Sequence, residues 1–273
     1  MLLKSLGCLF AIALVAPVFA QTPSVPPSPN PLEQFKLEHS PMKLRGVRPD
    51  GSLESYNWAG YAVKGTSFTN ASGSWKQPTV NCTKTPNSYA AFWVGLDGLS
   101  DTSVEQTGTL AICTGTTVKY YAWYEFYPVE DIELIPTVAV SPGNKISAAV
   151  NYSDSEFSLT ITNETTGKTF TKIAKSPTAK RTSAEWIAEA PCCTSGGGYY
   201  PLSAFGTASY GEDYTDVNDT NYATDAKVAG PISDFGTSLE KITMVSKTTA
   251  KDEAVPAALS TDGSSFKIAW KSE

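Results

Sequence analysis

The chain has 273 residues, of which 41% are hydrophobic, 11% aromatic and 18% charged, and it carries a net charge of −6 at pH 7. This apolar fraction can bury a sizeable core and excludes global disorder, and the acidic balance argues against a nucleic-acid binder, which needs a basic face. The one histidine, His39, stands in an N-terminal stretch that reads as unstructured, so Ser-His-Asp, Cys-His and His-ligated zinc or haem chemistry are poor candidates for the rest of the chain.

Residues 1–20 read as a secretory signal. Lys4 supplies the positive start, an apolar run extends from Leu6 to about Val18, and Val18-Phe19-Ala20 offers a small-residue cleavage site. The run is short of the roughly 20 residues that a spanning helix needs. Leu6-Gly7-Cys8 only faintly matches a lipoprotein box, because Cys8 precedes most of the apolar residues. The expected product is exported, with no membrane attachment once the signal is removed.

Residues 21–54 form a Pro-rich linker or a short pro-segment, with Pro23, Pro26, Pro27, Pro29 and Pro31 followed by Lys36, Lys43, Arg45 and Arg48. As a pro-segment, its basic residues would cover an acidic cleft until low pH neutralises that cleft. From Ser55 onward the net charge is −7. Four cysteines remain after export: Cys82, Cys113, Cys192 and Cys193. In an oxidising compartment they suggest disulfides, with Cys82–Cys113 the preferred pair, while the adjacent Cys192 and Cys193 either bridge each other or reach elsewhere. Asn-x-Ser/Thr sequons begin at Asn70, Asn81, Asn151, Asn163 and Asn218.

From Ser55 to the end, short apolar runs alternate with Gly, Pro, Asn, Asp and Ser. Period-two runs such as 145–152 and 157–162 flank Ser153-Asp154-Ser155-Glu156 and read as a hairpin, and the chain returns through 169–173. No segment carries a convincing helical stripe with caps at both ends. The expected fold is all-β, an antiparallel two-sheet β-sandwich of the concanavalin-like jelly-roll kind, in one domain over residues 55–273.

Several aromatic-acid clusters stand out: Asn57-Trp58-Ala59-Gly60, Phe92 to Gly98 (FWVGLDG), which Val104 to Gly108 (VEQTG) follows, Tyr121 to Pro128 (YAWYEFYP) and Ser183 to Glu189 (SAEWIAE). Strand alternation puts Glu185, Ile187 and Glu189 on one face with Trp186 and Ala188 on the other, and likewise separates Trp123 and Glu125 from Tyr124 and Phe126. Aromatics beside acids on one face describe a concave site for a polymer, sugar or peptide.

These blocks, in this order, resemble the glutamic peptidases (eqolisins, family G1). The resemblance runs from about Ser55 to the C-terminus, and the stretch after Glu189, with its paired cysteines and glycines, looks more like the bacterial members. It implies a β-sandwich with a groove across a concave sheet, endopeptidase activity in acid, polypeptide substrates, and no metal or cofactor. A monomer is expected. The catalytic pair it implies is Gln106, from the QTG, and Glu189, the second acid of the AEW–E block, rather than Glu185. Trp58, Trp93, Asp97, Trp123, Glu125 and Tyr127 fall at positions resembling the groove-lining residues.

The chemistry suits these residue types. A carboxylate takes a proton from water and returns it to the leaving amine, and an amide positions the water and holds the oxyanion. A Glu base titrating near about 4.3 is matched to acid. Two rival readings use the same aromatics: a glycoside hydrolase and a non-catalytic carbohydrate-binding sandwich. Glu185 and Glu189 are unsuited to glycoside hydrolysis, being about 13 Å apart along a strand against the roughly 5–10 Å that the reaction uses. Glu125 with Glu189 stays open, and the binding module would have no need of Gln106.

Overall fold

The computed structural model describes residue 37 and residues 39–193, 198–226 and 228–272. The expected signal and the Pro-rich run therefore lie outside the described residues. The compact unit that contains the described residues spans Phe35–Glu273.

The described residues form eighteen strands: β1 (Leu44–Val47), β2 (Leu53–Ser55), β3 (Trp58–Lys64), β4 (Asn70–Lys76), β5 (Tyr89–Leu96), β6 (Val104–Thr114), β7 (Thr117–Tyr127), β8 (Glu130–Leu134), β9 (Lys145–Ser153), β10 (Glu156–Asn163), β11 (Lys168–Ala174), β12 (Ser183–Glu189), β13 (Thr207–Tyr210), β14 (Tyr222–Thr224), β15 (Ala229–Pro231), β16 (Leu239–Val245), β17 (Asp252–Pro256) and β18 (Phe266–Trp270). Among the described residues, helix is limited to one turn at Glu212–Thr215 and a 3-10 stretch at Ile232–Ser238. No helix among the described residues is long and apolar enough to cross a membrane.

One sheet runs β8-β7-β6-β5-β12-β3-β16, antiparallel throughout, with β2 joining β16 in parallel. The second runs β11-β10-β9-β4, and β4 is continued on its other edge by β13 and β14. Pairings from β16 through β17 and β18 to β13 link the two. Between the sheets lie Trp75, Phe92, Trp186, Tyr210 and Phe266. Trp186 Nε1 reaches across to donate to the Ser72 carbonyl at 2.7 Å.

The expected hairpin is present, β9 pairing with β10 from Ser153↔Glu156 inward. Its turn residues Asp154 and Ser155 both have positive φ, 51° and 65°, which suits a two-residue turn matching the strand twist. In β10 burial follows the alternation: Phe157, Leu159 and Ile161 pack inward, and Thr160 and Thr162 pair outward with Thr171 and Thr169. The central strands β5 and β12 are buried on both faces instead. There the alternation survives in chemistry: Phe92, Val94, Trp186 and Ala188 lie between the sheets, and the acids Glu185 and Glu189 lie on the other face with Trp93 and Ile187.

Cys82 and Cys113 are bonded, with their Cα atoms 5.4 Å apart, and Cys192 is bonded to Cys193. The N-terminal boundary moves. The fold was expected to begin at Ser55, but β1 pairs with β2 and β2 pairs with β16, so residues 44–55 are already part of the sandwich. The reason is edge completion: β16 has an open edge beyond β3, and the preceding segment fills it.

Candidate active site

The site lies on the face of the first sheet that points away from the core. Register places Gln106 opposite Glu125 on one side and opposite Gly95 on the other, and Gly95 in turn opposite Glu185. Glu189 lies opposite Trp58 and Ala91. Trp58, Trp93, Gln106, Trp123, Glu125, Glu185 and Glu189 thus share this face, and all are buried.

Each polar group in the pair is oriented by a neighbour. Trp93 Nε1 donates to Glu189 Oε2 at 2.8 Å. The Gln106 amide donates through Nε2 to Glu125 Oε2 at 2.8 Å. Since a carboxylate only accepts, Glu125 fixes which end of that amide points where. Gln106 Oε1 and Glu189 Oε1 accept no hydrogen bond among the described residues, which leaves one acceptor on each. Trp58 packs edge-on against Trp93 at 4.9 Å.

Two glycines of the sequence blocks make room for this packing. A Cβ on Gly108 would stand 2.6 Å from the Trp93 Cβ and 2.2 Å from the Phe92 carbonyl oxygen, and one on Gly95 would stand 2.9 Å from the Trp93 ring. The Gly of VEQTG is therefore the space in which Trp93 turns toward Glu189.

Asp97 departs from expectation. Instead of lining the groove it is fully buried at the end of β5, with φ +71°, and its oxygens accept the backbone N–H groups of Lys180, Arg181 and Thr182 at 2.7 Å each. It ties down the turn that leads into β12. Tyr127 sits at the end of β7, half-buried, where a cis peptide joins it to Pro128. Burial pushes the Glu185 carboxyl well above the ordinary range, with Asp97, Asp101 and Glu105 adding repulsion.

The largest departure is His39. Expected in an unstructured tail, it is fully buried on this face. Its Nδ1 lies 3.0 Å from Glu189 Oε2 and its ring stacks on Trp123 at 3.9 Å. The Gln106 Nε2 faces its carbonyl oxygen at 3.4 Å. The arginines expected to cover the cleft are spent elsewhere: Arg45 pairs with Glu54, and Arg48 with Glu54 and Asp252. Asn57 and Tyr199 were also missed as site residues. Asn57 belongs to the NWAG block, and its Nδ2 reaches the Ser40 and Pro41 carbonyls at 3.3 Å each. Tyr199 is hydrogen-bonded to Ser40 and lies near Glu189, and burial first of all pushes its hydroxyl up to about 12. Beyond Ala190, a cavity of about 300 Å³ is walled in part by Tyr56, Tyr199, Tyr200, Pro201 and Leu202.

Residues 56–255 match the Peptidase A4 family. The chain belongs to that family. Its sequence is 29% identical over 171 residues to aspergillopepsin-2 of Aspergillus niger, an alignment covering 54% of this chain and 60% of that protein. The chain thus spans less than two thirds of that relative's length. As a fold, this A4 peptidase sandwich is similar to scytalido-glutamic peptidase, solved with a transition-state analogue inhibitor. The TM-score there is 0.64 at 24% identity, covering 79% of this chain and 98% of the other. It is also similar to aspergilloglutamic peptidase from Aspergillus niger, with a TM-score of 0.54 at 25% identity, covering 67% and 99%. The all-β sandwich expected from the sequence is the fold observed, and the A4 match covers every block on which the resemblance to glutamic peptidases rests.

Proposed function

We propose that this protein is a secreted, acid-acting endopeptidase that hydrolyses peptide bonds with Gln106 and Glu189. One observation carries the reading: both side chains converge on a single residue laid across the sheet, His39, Gln106 facing its carbonyl oxygen and Glu189 its imidazole. With a substrate bond in that place, ionised Glu189 takes a proton from water as the oxygen adds to the carbonyl carbon. The Gln106 NH₂, already aimed by Glu125, holds the resulting oxyanion, and its free Oε1 orients the water. Glu189 then returns the proton to the amide nitrogen as the C–N bond breaks, leaving a carboxylic acid and an amine. Trp58, Trp93 and Trp123 wall the cleft.

Family membership and the site's chemistry support polypeptide substrates, and the N-terminal apolar run with two disulfides supports secretion. The loop after Glu189 supports kinship with bacterial members, and the self-contained sandwich supports a monomer. In the glycosidase reading Glu125 would partner Glu189. It is instead bound to the Gln106 amide, an arrangement that a sugar-cleaving pair has no use for.

The test is digestion of denatured protein and of soluble polysaccharides at about pH 4, with and without chelator. Proteolysis that survives chelator and is lost in Glu189→Gln is expected. Polysaccharide cleavage, or proteolysis that peaks at neutral pH, would overturn the assignment.

A further inference from the structure

We propose that the pocket beyond Ala190 receives an aromatic or large aliphatic side chain from one of the first three residues on the leaving-amine side of the cut bond, and that Tyr200 is the residue that selects it. The proposal rests on the peptidase reading and names the class of polypeptide that the site prefers.

The course of the chain across the sheet gives the direction. The His39 carbonyl stands at Gln106 Nε2, where the carbonyl of a bond to be cut would stand. The residues that follow run toward the start of β3. Trp58 Nε1 donates to the Ser40 carbonyl at 3.1 Å, Lys43 N–H donates to Asn57 Oδ1 at 2.8 Å, and Tyr56 N–H donates to the Lys43 carbonyl at 3.0 Å. A peptide of the same polarity, with its reacting carbonyl at Gln106, therefore leads its amine side to Tyr56, and Tyr56 is one wall of the pocket. Tyr199, a second wall, is hydrogen-bonded to Ser40, the first residue after that carbonyl. Residues 39–43 contribute nothing to the lining, so they pass the pocket without filling it.

The lining sets the chemistry. Tyrosines 56, 199 and 200 surround the cavity of about 300 Å³ together with Pro201 and Leu202. Ligand sites run from roughly 300 to 1,000 Å³, so a space at the small end, bounded by rings and aliphatics, suits one large apolar side chain. Lys247 and Glu253, also in the wall, carry opposite formal charges, so no net charge selects an acidic or a basic residue. The walls are fixed before anything binds. Tyr200 N–H donates to the Pro191 carbonyl, Tyr89 N–H to the Pro201 carbonyl and Ser203 N–H to the Tyr89 carbonyl, each at 2.9 Å. The rings of Tyr89 and Tyr200 lie 4.3 Å apart. Residues 199–203 are thus clamped between the chain leaving β12 and the start of β5, and a pocket held in this way gives up little freedom when a side chain enters. Tyr200 is half-buried, its ring set by Tyr89 and still facing the open space.

The test compares kcat/KM at about pH 4 for an alanine-rich parent peptide cut at one bond and for three relatives, with phenylalanine at the first, second or third position after that bond. With wild type, at least one phenylalanine peptide should be cut about tenfold to a hundredfold more efficiently than the parent. In Tyr200→Ala that ratio should fall to within about threefold of unity, and Tyr200→Phe, which keeps the ring, should retain it. Tyr56→Ala, on another wall, should lower the same ratio. Equal efficiency of wild type on all four peptides overturns the proposal and leaves the peptidase reading standing. So does a ratio that is unchanged in both alanine variants, however slowly they cut, because a purely structural role would slow all four peptides alike. A wild type that cuts neither these peptides nor denatured protein sinks the peptidase reading, and the assignment of the pocket with it.

Discussion

Glu125 shows how much one side chain settles at this site. An amide can present either end to a partner, and the Gln106 amide is turned NH₂-first because Glu125 offers only acceptors. That leaves a second N–H for the carbonyl of a bound peptide. Glu125→Gln removes the constraint, since a second amide accepts either orientation. The expected result is a fall in kcat of about tenfold to a hundredfold with KM changed much less, because the contact it supports strengthens as the oxyanion forms. A KM effect alone would mean that Glu125 serves binding. Gly108 acts through volume: Gly108→Ala should lower stability by about 1–3 kcal/mol, read by denaturant unfolding, as its methyl displaces Trp93.

At the scale of elements, strand alternation was readable wherever one face meets water. The β9–β10–β11 meander was legible from its period-two runs and turn residues, and so were the faces of Glu185, Ile187 and Glu189 and of Trp123 and Glu125. Less legible were the ends. Asp97 follows a strand by a single residue, and nothing in FWVGLDG tells a groove acid from one that ties down a turn 83 residues later by accepting from Lys180. His39 was discounted because a Pro-rich run precedes it, and no local pattern says that a short segment will lie across a sheet formed by later residues. The signal available was its singularity, one histidine in a chain otherwise free of imidazole. The Cys82–Cys113 bond was foreseeable from spacing, and it joins the loop after β4 to the end of β6, the strand that carries Gln106. Replacing both cysteines by alanine should cost about 2–4 kcal/mol of stability on denaturant unfolding.

Over the whole molecule, buried acids tie stability to pH. Burial first, then the nearby Asp97 and Asp101, raises the Glu105 carboxyl to about 9 from an ordinary 4.5. Burial raises Glu185 and Asp97 in the same direction. The folded protein therefore keeps protons that the unfolded chain releases between about pH 4.5 and 9, and its stability declines as pH rises through that window. Melting temperature should be higher near pH 4 than near pH 8, and Glu105→Gln should flatten the difference; a wild-type protein that melts higher at pH 8 would contradict this reading. Acid stability and the proposed carboxyl-based dyad then favour the same conditions. The most direct test of that dyad is kcat/KM on one peptide substrate at about pH 4 for wild type, Glu189→Gln and Gln106→Ala, all prepared in the same form. The expected losses are about a thousandfold or more for Glu189→Gln and about a hundredfold or more for Gln106→Ala, in proteins that remain folded. Either variant retaining activity within about tenfold of wild type would contradict the central claim.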